Sequence, residues 1–159
     1  MISSRLRRPT GFLALFFACL LVTAAGAEQL CLNVQTADTP AYHPIAVGEK
    51  LSLAFPHSIY GSQVEEHFRV TAKGLQLREL HYAEPRLVEF YGHESAANED
   101  GRWVLRKRGP LLEILDLRVS PGSWMDVIFG TEKLTVKHDS VSDGRARLAL
   151  GACLRRNHG

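Results

Sequence analysis

The stretch Leu51–Thr71, LSLAFPHSIYGSQVEEHFRVT, decides the fold class of this chain. On both sides of a loop, Ser58–Gln63, apolar side chains alternate with smaller or polar ones. A period of two is typical of strands that bury one face. The stretch therefore predicts two strands joined by that loop.

The inward-facing phase of these strands reaches His57 in the first strand and contains Glu66 in the second. In one antiparallel register Phe55 lies opposite Phe68, and His57 then lies opposite Glu66. Side chains directly opposite have Cβ atoms about 4.5–5.5 Å apart, so an imidazole and a carboxylate can meet. Because Pro56 has no N–H to donate, we expect the first strand to lie at a sheet edge or to end there. The pair is predicted either to hold the loop in place or to form part of a binding site.

More short strands are predicted along the rest of the chain. They are Cys31–Val34, Leu75–Tyr82, Leu87–Tyr91, Trp103–Arg106, Leu111–Ser120, Met125–Phe129, Lys133–Lys137 and Arg145–Leu154. The segments Gln35–Glu49, Gly92–Gly101 and His138–Gly144 are polar or rich in Pro and Gly, and they are predicted as loops. About nine or ten short strands without an amphipathic helix predict an all-β fold, either an antiparallel β-sandwich or a small barrel.

Residues 1–27 carry the pattern of a secretory signal peptide. Basic residues come first, an apolar run follows from Gly11 to Val22, and small residues stand at Ala25–Ala27. The apolar run is shorter than the about 20 residues that a membrane span needs, although an uncleaved anchor stays an alternative. We therefore expect cleavage after Ala27 and a periplasmic location for one exported domain, residues 28–159.

The charge of the exported part excludes one class of partner. The whole chain has 19 Lys and Arg against 17 Asp and Glu, and three of the basic residues lie within residues 1–27, which hold no acidic residue. The remainder is left with a net charge of −1. Nucleic-acid-binding domains are normally strongly basic over one face, so no nucleic-acid partner is expected.

Two cysteines remain in the exported part, Cys31 near its start and Cys153 near its end. In an oxidising compartment an even pair is a candidate disulfide. Such a bond would place the first strand beside the last one. Two separate buried thiols are the alternative.

The sequence offers few signs of catalysis. No serine stands in a nucleophile elbow, and no glycine-rich phosphate loop is present. The seven histidines are not at tight metal-ligand spacing, so we expect no metal and no cofactor. The alternative to a non-catalytic protein is a small exported hydrolase or metal-dependent enzyme that uses His57 and Glu66. A third group would come from Gly92–Gly101, with His93 as the candidate metal ligand.

Four segments carry a resemblance to a known family. They are Cys-Leu-x-Val at Cys31–Val34, His57-Ser58 followed by Val64-Glu65-Glu66, then Phe68-Arg69-Val70, and a short strand with Pro-Gly at Arg118–Gly122. In these segments the chain resembles DUF1850, a family of small exported domains of unknown function. Where the family has a glycine-rich turn, this chain has Tyr91–Glu94.

The resemblance implies a role beside a transporter. Family members resemble accessory components of TAXI-type TRAP transporters, which take up organic acids with an extracytoplasmic solute-binding protein. The expected partner is therefore the transporter permease or its solute-binding protein, with a small organic acid as a further candidate ligand. Membrane association would come through that partner. The residues carried over are His57, Ser58 and Glu66, and we add Ile59 and Tyr60 at the loop tip as candidate contacts.

Overall fold

The computed structural model describes residues 29–36 and 40–153, and the predicted signal peptide lies outside this part of the chain. The strands are β1 Leu30–Gln35, β2 Pro40–Pro44, β3 Lys50–Pro56, β4 Gln63–Thr71, β5 Gly74–Tyr82, β6 Ala97–Glu99, β7 Arg102–Arg106, β8 Leu111–Leu112, β9 Ile114–Arg118, β10 Trp124–Phe129, β11 Glu132–Lys137 and β12 Arg145–Ala152. One helix, α1, spans Pro85–Tyr91. Within the described ranges, no helix has the length and apolar character needed to cross a membrane.

The strands form two antiparallel sheets that pack together as a sandwich. The four-stranded sheet has the order β2-β1-β12-β9. The larger sheet has the order β11-β10-β3-β4-β5-β7-β6, and β8 pairs with β5 beside this path. The predicted all-β fold is therefore confirmed, and it takes the sandwich form.

The core lies between the two sheets. Leu32 and Leu148 come from the smaller sheet, and Leu53 and Val127 come from the larger one. A second cluster of buried side chains lies under α1 and includes Leu87. Burial of such apolar side chains on alternating strand positions is what holds the sheets face to face.

The register of the β3–β4 hairpin differs from the predicted one. Leu51 lies opposite Phe68, Leu53 opposite Glu66, and Pro56 opposite Gln63. The inward phase was right, but the predicted pairing of His57 with Glu66 was wrong. β3 is a central strand that ends at Pro56, so the proline terminates the strand and does not mark a sheet edge.

The segment Leu87–Tyr91, predicted as a strand, is part of helix α1. Pro85 stands in the first turn, where its missing N–H costs nothing, and Gly92 ends the helix in the left-handed conformation with φ 65°. Pro85 therefore begins a helix and does not precede a strand. The buried face of the helix consists of Leu87 and Val88.

Two predicted loops contain strands. β2 is an edge strand on β1, a position that tolerates its prolines. β6 pairs with β7 around Asp100 and Gly101, both of which have positive φ, as the tight turns of hairpins require. In addition, the predicted strand Leu111–Ser120 is divided: β8 joins the larger sheet and β9 the smaller one.

The two ends of the described chain are joined. β1 pairs with β12 from Leu30 opposite Ala152 to Gln35 opposite Arg147, as expected for the first and last strands. The Sγ atoms of Cys31 and Cys153 are 2.01 Å apart, at disulfide-bond distance. This is the pairing that the two cysteines predict.

Candidate functional site

His57 organises the loop between β3 and β4. Its Nδ1 accepts hydrogen bonds from the backbone N–H groups of Ile59 and Tyr60, both at 3.3 Å. The backbone N–H of His57 donates to the carbonyl of Ser62 at 2.8 Å, and Gly61, at φ 71°, donates back to the carbonyl of His57. The imidazole itself is buried. His57 therefore fixes the shape of the loop from inside.

Aromatic rings surround this imidazole. Tyr60 stacks on it with ring centroids 5.2 Å apart, and Phe90 and Tyr91 meet it edge-on at 4.8 and 5.6 Å. The guanidinium of Arg86 lies 4.9 Å from the centroid of the Tyr60 ring. The loop is thus packed against the end of helix α1, and its aromatic side chains are held in place before any ligand arrives.

A groove of about 440 Å³ opens beside the loop. His57, Ser58 and Tyr91 form one wall, and the segment that leads into β10, including Trp124, forms the other. Arg118 contributes a positive charge to the lining. Pockets of about 300–1,000 Å³ are the usual size for small-molecule sites.

Four large apolar side chains at this end of the sandwich are exposed to solvent: Ile59, Phe90, Tyr91 and Trp124. Tyr60, which is also exposed, lies among them. We call these five residues the loop-tip patch. Most exposed apolar residues on a soluble protein are scattered singly, whereas a cluster marks a contact surface.

Glu66 lies on the core side of β4, opposite Leu53 and Leu80 on the neighbouring strands. Burial raises the pKa of its carboxyl above the ordinary value. Burial is the main cause of the raised pKa values of the Tyr82 and Tyr91 phenols, and the charge of Glu66 raises them further. Glu66 is therefore a half-buried carboxyl beside two tyrosines.

Replacing Glu66 by Gln is expected to stabilise the protein at neutral pH. Because its pKa is raised in the folded state, ionisation of this carboxyl costs the folded protein more than the unfolded chain. This cost in folding free energy is absent at pH values below the unfolded-state pKa of 4.5, and it grows as the pH rises through the folded-state pKa. Urea unfolding at about pH 4 and about pH 7 should therefore show a gain for E66Q only at the higher pH.

The matched control for this prediction is Glu113→Gln, since Glu113 is exposed between β8 and β9. It should leave stability within about 0.5 kcal/mol at both pH values. If the unfolding free energies of wild type and E66Q differ by the same amount at both pH values, ionisation of Glu66 does not destabilise the folded protein.

The structure separates the predicted site residues into two groups. His57, Ser58, Ile59 and Tyr60 lie together in the loop. Glu66 is opposite Leu53, and His57 is four positions further along the extended chain than Leu53, about 13 Å away. Tyr91 lies between the two groups: its ring contacts His57, and burial together with the charge of Glu66 raises the pKa of its phenol.

The proposed metal ligand His93 is engaged elsewhere. Its Nδ1 is 2.6 Å from the hydroxyl of Tyr82. The ligand atoms of His57, Glu66 and His93 do not lie close together. Among the described residues, three other side chains have ligand atoms close enough to share a metal ion. The alternative in which His57, Glu66 and His93 converge on a metal is therefore not supported by their positions.

The three side chains that do lie close together are those of Glu65, His67 and His81. They lie on the opposite face of the larger sheet, where the sequence predicted no site. The face carries two Glu-x-His motifs, Glu65–His67 on β4 and Glu79–His81 on β5. Because the strands are antiparallel, Glu65 lies opposite His81, and His67 lies opposite Glu79. We call these four residues the paired Glu-x-His cluster.

The electrostatics of the cluster keep its buried histidine neutral. Burial, reinforced by the nearby charges of His81 and Lys50, lowers the pKa of His67 to about 4. The hydrogen bond from His81 lowers the pKa of Glu79. At neutral pH the cluster therefore contains the neutral imidazole of His67 near the ionised carboxylate of Glu79.

A sequence signal for this cluster did exist. Residues two apart on a strand share a face, so each Glu-x-His motif places a carboxylate and an imidazole side by side. The distance of 14 residues from His67 to His81 hides the relation in the linear sequence, because only the β4–β5 register brings the motifs together.

Comparison of the chain with protein-family models, with curated proteins and with solved structures returned no match.

Proposed function

We propose that this chain is a non-catalytic binding module of the cell envelope, exported to the periplasm by residues 1–27. Its role is that of an accessory to a TAXI-type TRAP transporter for organic acid uptake, with the permease or the solute-binding protein as its partner. The transporter assignment rests on the resemblance of the sequence to DUF1850 domains. The binding assignment rests on the loop-tip patch.

The loop-tip patch supports a protein partner because it combines exposure with rigidity. Ile59 is 67% exposed at the tip, whereas Tyr60 is stacked on buried His57 and Phe90 packs against both rings. Aromatic anchors that are already ordered lose little conformational entropy on binding. Such residues are the ones that dominate the energetics of protein interfaces.

The groove beside the patch supports a small acidic ligand as well. The residues that line it include Arg118 and three serines, Ser58, Ser120 and Ser123. A carboxylate is the natural partner of a guanidinium, and hydroxyls can donate hydrogen bonds to it. An organic acid of the class that such transporters carry therefore suits this groove.

The alternative, a hydrolase or metal-dependent enzyme using His57 and Glu66, receives less support from the geometry. Nδ1 of His57 is already bound to two loop amides. Glu66 lies beside Tyr82 and Tyr91 on the core side of the sheet. A general base must reach the proton that it abstracts, and these two groups do not face one another.

Replacing Ile59 by Ser is expected to weaken partner binding about tenfold or more without changing stability. The side chain is mostly exposed, so its loss costs the fold little, while truncation of an interface anchor costs about 2 kcal/mol. The measurement is purification of the tagged protein from gently solubilised native membranes, with transporter subunits quantified by mass spectrometry. Wild type should enrich a permease or its solute-binding protein, and I59S should not.

Val47→Ser is the matched control. Val47 is 62% exposed but lies in the turn before β3, at the other end of the strand that leads to His57. This variant should retain the partner at the wild-type level. Equal enrichment by wild type, I59S and V47S would refute the loop-tip patch as the contact surface, and recovery without any transporter subunit would refute the transporter role.

A further inference from the structure

We propose that Glu65, His67 and His81 form a binding site for a divalent transition-metal ion of the Zn²⁺ type. The site lies on the face of the larger sheet that points away from the core, and it is separate from the loop-tip patch. Two imidazoles and one carboxylate are a donor set that suits Zn²⁺.

The spacing of the three donors fits such an ion. Nε2 of His67 is 3.2 Å from Nδ1 of His81 and 3.3 Å from Oε2 of Glu65. One ligand atom from each residue lies within 4.8 Å of the other two. Two ligands at about 2.0–2.1 Å from a tetrahedral ion are about 3.3 Å apart, so these separations are those of a site that needs little rearrangement.

In each imidazole, the nitrogen that would not bind the metal already has a hydrogen-bond partner. Nδ1 of His67 is 2.7 Å from the hydroxyl of buried Ser52, and Nε2 of His81 is 2.9 Å from Oε2 of Glu79. Histidine ligands almost always bind a carboxylate, carbonyl or water through their second nitrogen, which fixes the tautomer and the ring orientation. In the cluster the second nitrogen of His81 has a carboxylate partner, and that of His67 has a hydroxyl partner.

The carboxylate ligand is oriented in the same way. Oε1 of Glu65 accepts hydrogen bonds from Arg102 and from the side-chain amide of Gln63, so Oε2 is the oxygen directed at His67. His67 is only 6% exposed, whereas Glu65 and His81 are half-buried. The donors therefore sit at the bottom and sides of a shallow site whose fourth position is open to water or to a further ligand.

Metal binding needs no net release of protons from the two imidazoles. The Glu79 carboxylate can only accept a hydrogen bond, so the proton of His81 is on Nε2. Nδ1 of His81 then accepts a hydrogen bond from Nε2–H of His67. When an ion takes the place of that shared proton, His67 moves its proton to Nδ1. From there it donates to the hydroxyl oxygen of Ser52, which until then donated to that nitrogen.

The test is titration of the purified, tag-free protein with Zn²⁺ by isothermal titration calorimetry after treatment with a chelator. We expect one ion per chain in wild type, a rise of the melting temperature on addition of Zn²⁺, and two nitrogen ligands at about 2.0–2.1 Å by X-ray absorption. His81→Gln should bind at least about tenfold more weakly and lose the rise in melting temperature. His67→Gln should do the same.

His43→Gln is the matched control, because Nδ1 of His43 also meets a carboxylate, that of Glu132, at 3.0 Å, outside the paired Glu-x-His cluster. It should bind Zn²⁺ as wild type does. His81 is more exposed than His67, so H81Q keeps the test decisive if H67Q fails to fold. The proposal is overturned if wild type binds no Zn²⁺, or if H81Q, folded by circular dichroism, binds it as tightly as wild type.

Discussion

Joint replacement of Cys31 and Cys153 by Ala is expected to lower the free energy of unfolding by about 4–5 kcal/mol at most. The bond spans 122 residues of chain, and closing a loop of this size removes much of the entropy of the unfolded chain. Because β1 and β12 are paired along six residues each, the folded state should keep its shape without the bond. Urea unfolding of wild type and of the double variant under oxidising conditions measures the effect.

The wild type under reducing conditions is the control, since it removes the bond and keeps both side chains. Reduced wild type and the double variant should unfold at similar urea concentrations and with a steeper dependence on urea, because the unfolded chain is then free to expand. Unfolding of the double variant at the urea concentration of oxidised wild type would show that the two cysteines add nothing to stability through a bond.

Replacing Leu148 by Ala is expected to cost about 2–5 kcal/mol. Leu148 is 0% exposed, lies on β12 between Val34 of β1 and Leu115 of β9, and faces the larger sheet. Truncation removes buried methyl groups and leaves a cavity that two paired strands cannot close. Thermal and urea unfolding of the purified variant give the loss.

Ile114→Ala is the matched control for the core substitution. Ile114 lies on β9 beside the same strand β12, but its side chain is 50% exposed. Its truncation should change stability by no more than about 0.5 kcal/mol. Equal losses for the two variants would mean that Leu148 is not part of the contact between the sheets.

The period-two patterns predicted strands and faces well. Leu51, Leu53 and Phe68 are buried as the alternation requires, but Ser52, Ala54 and His67 on the other face are buried as well. The hairpin of β10 and β11 crosses Gly130 and Thr131 as predicted. Both results depend on local side-chain pattern alone. Glu66 also lies on the predicted inner face, where it faces Leu53 and not His57.

The register of the hairpin could not be predicted from the same pattern. A shift by any even number of residues leaves every side chain on its predicted face, so alternation fixes the face and not the partner. The observed register depends on the loop, where His57 binds the N–H groups of Ile59 and Tyr60 and closes onto Ser62. The error in the His57–Glu66 pair follows from this ambiguity.

Two other differences have separate causes: helix end signals outweigh a short apolar run, and a strand register brings distant motifs together. Pro85 and Gly92 define a seven-residue helix around Leu87 and Val88, a segment too short for its period to be recognised. The paired Glu-x-His cluster was missed because its two halves meet only through the register of β4 and β5. Neither relation is visible in a local stretch of sequence.

The link between Cys31 and Cys153 has a mechanical consequence. A force that pulls on the chain before Cys31 and after Cys153 passes through the covalent bond, so the 122-residue separation between them contributes no extension. Hydrogen bonds between strands inside this loop bear none of the load. Under oxidising conditions, single-molecule stretching from the two ends should therefore find the sandwich inextensible, and reduction should release its full contour length.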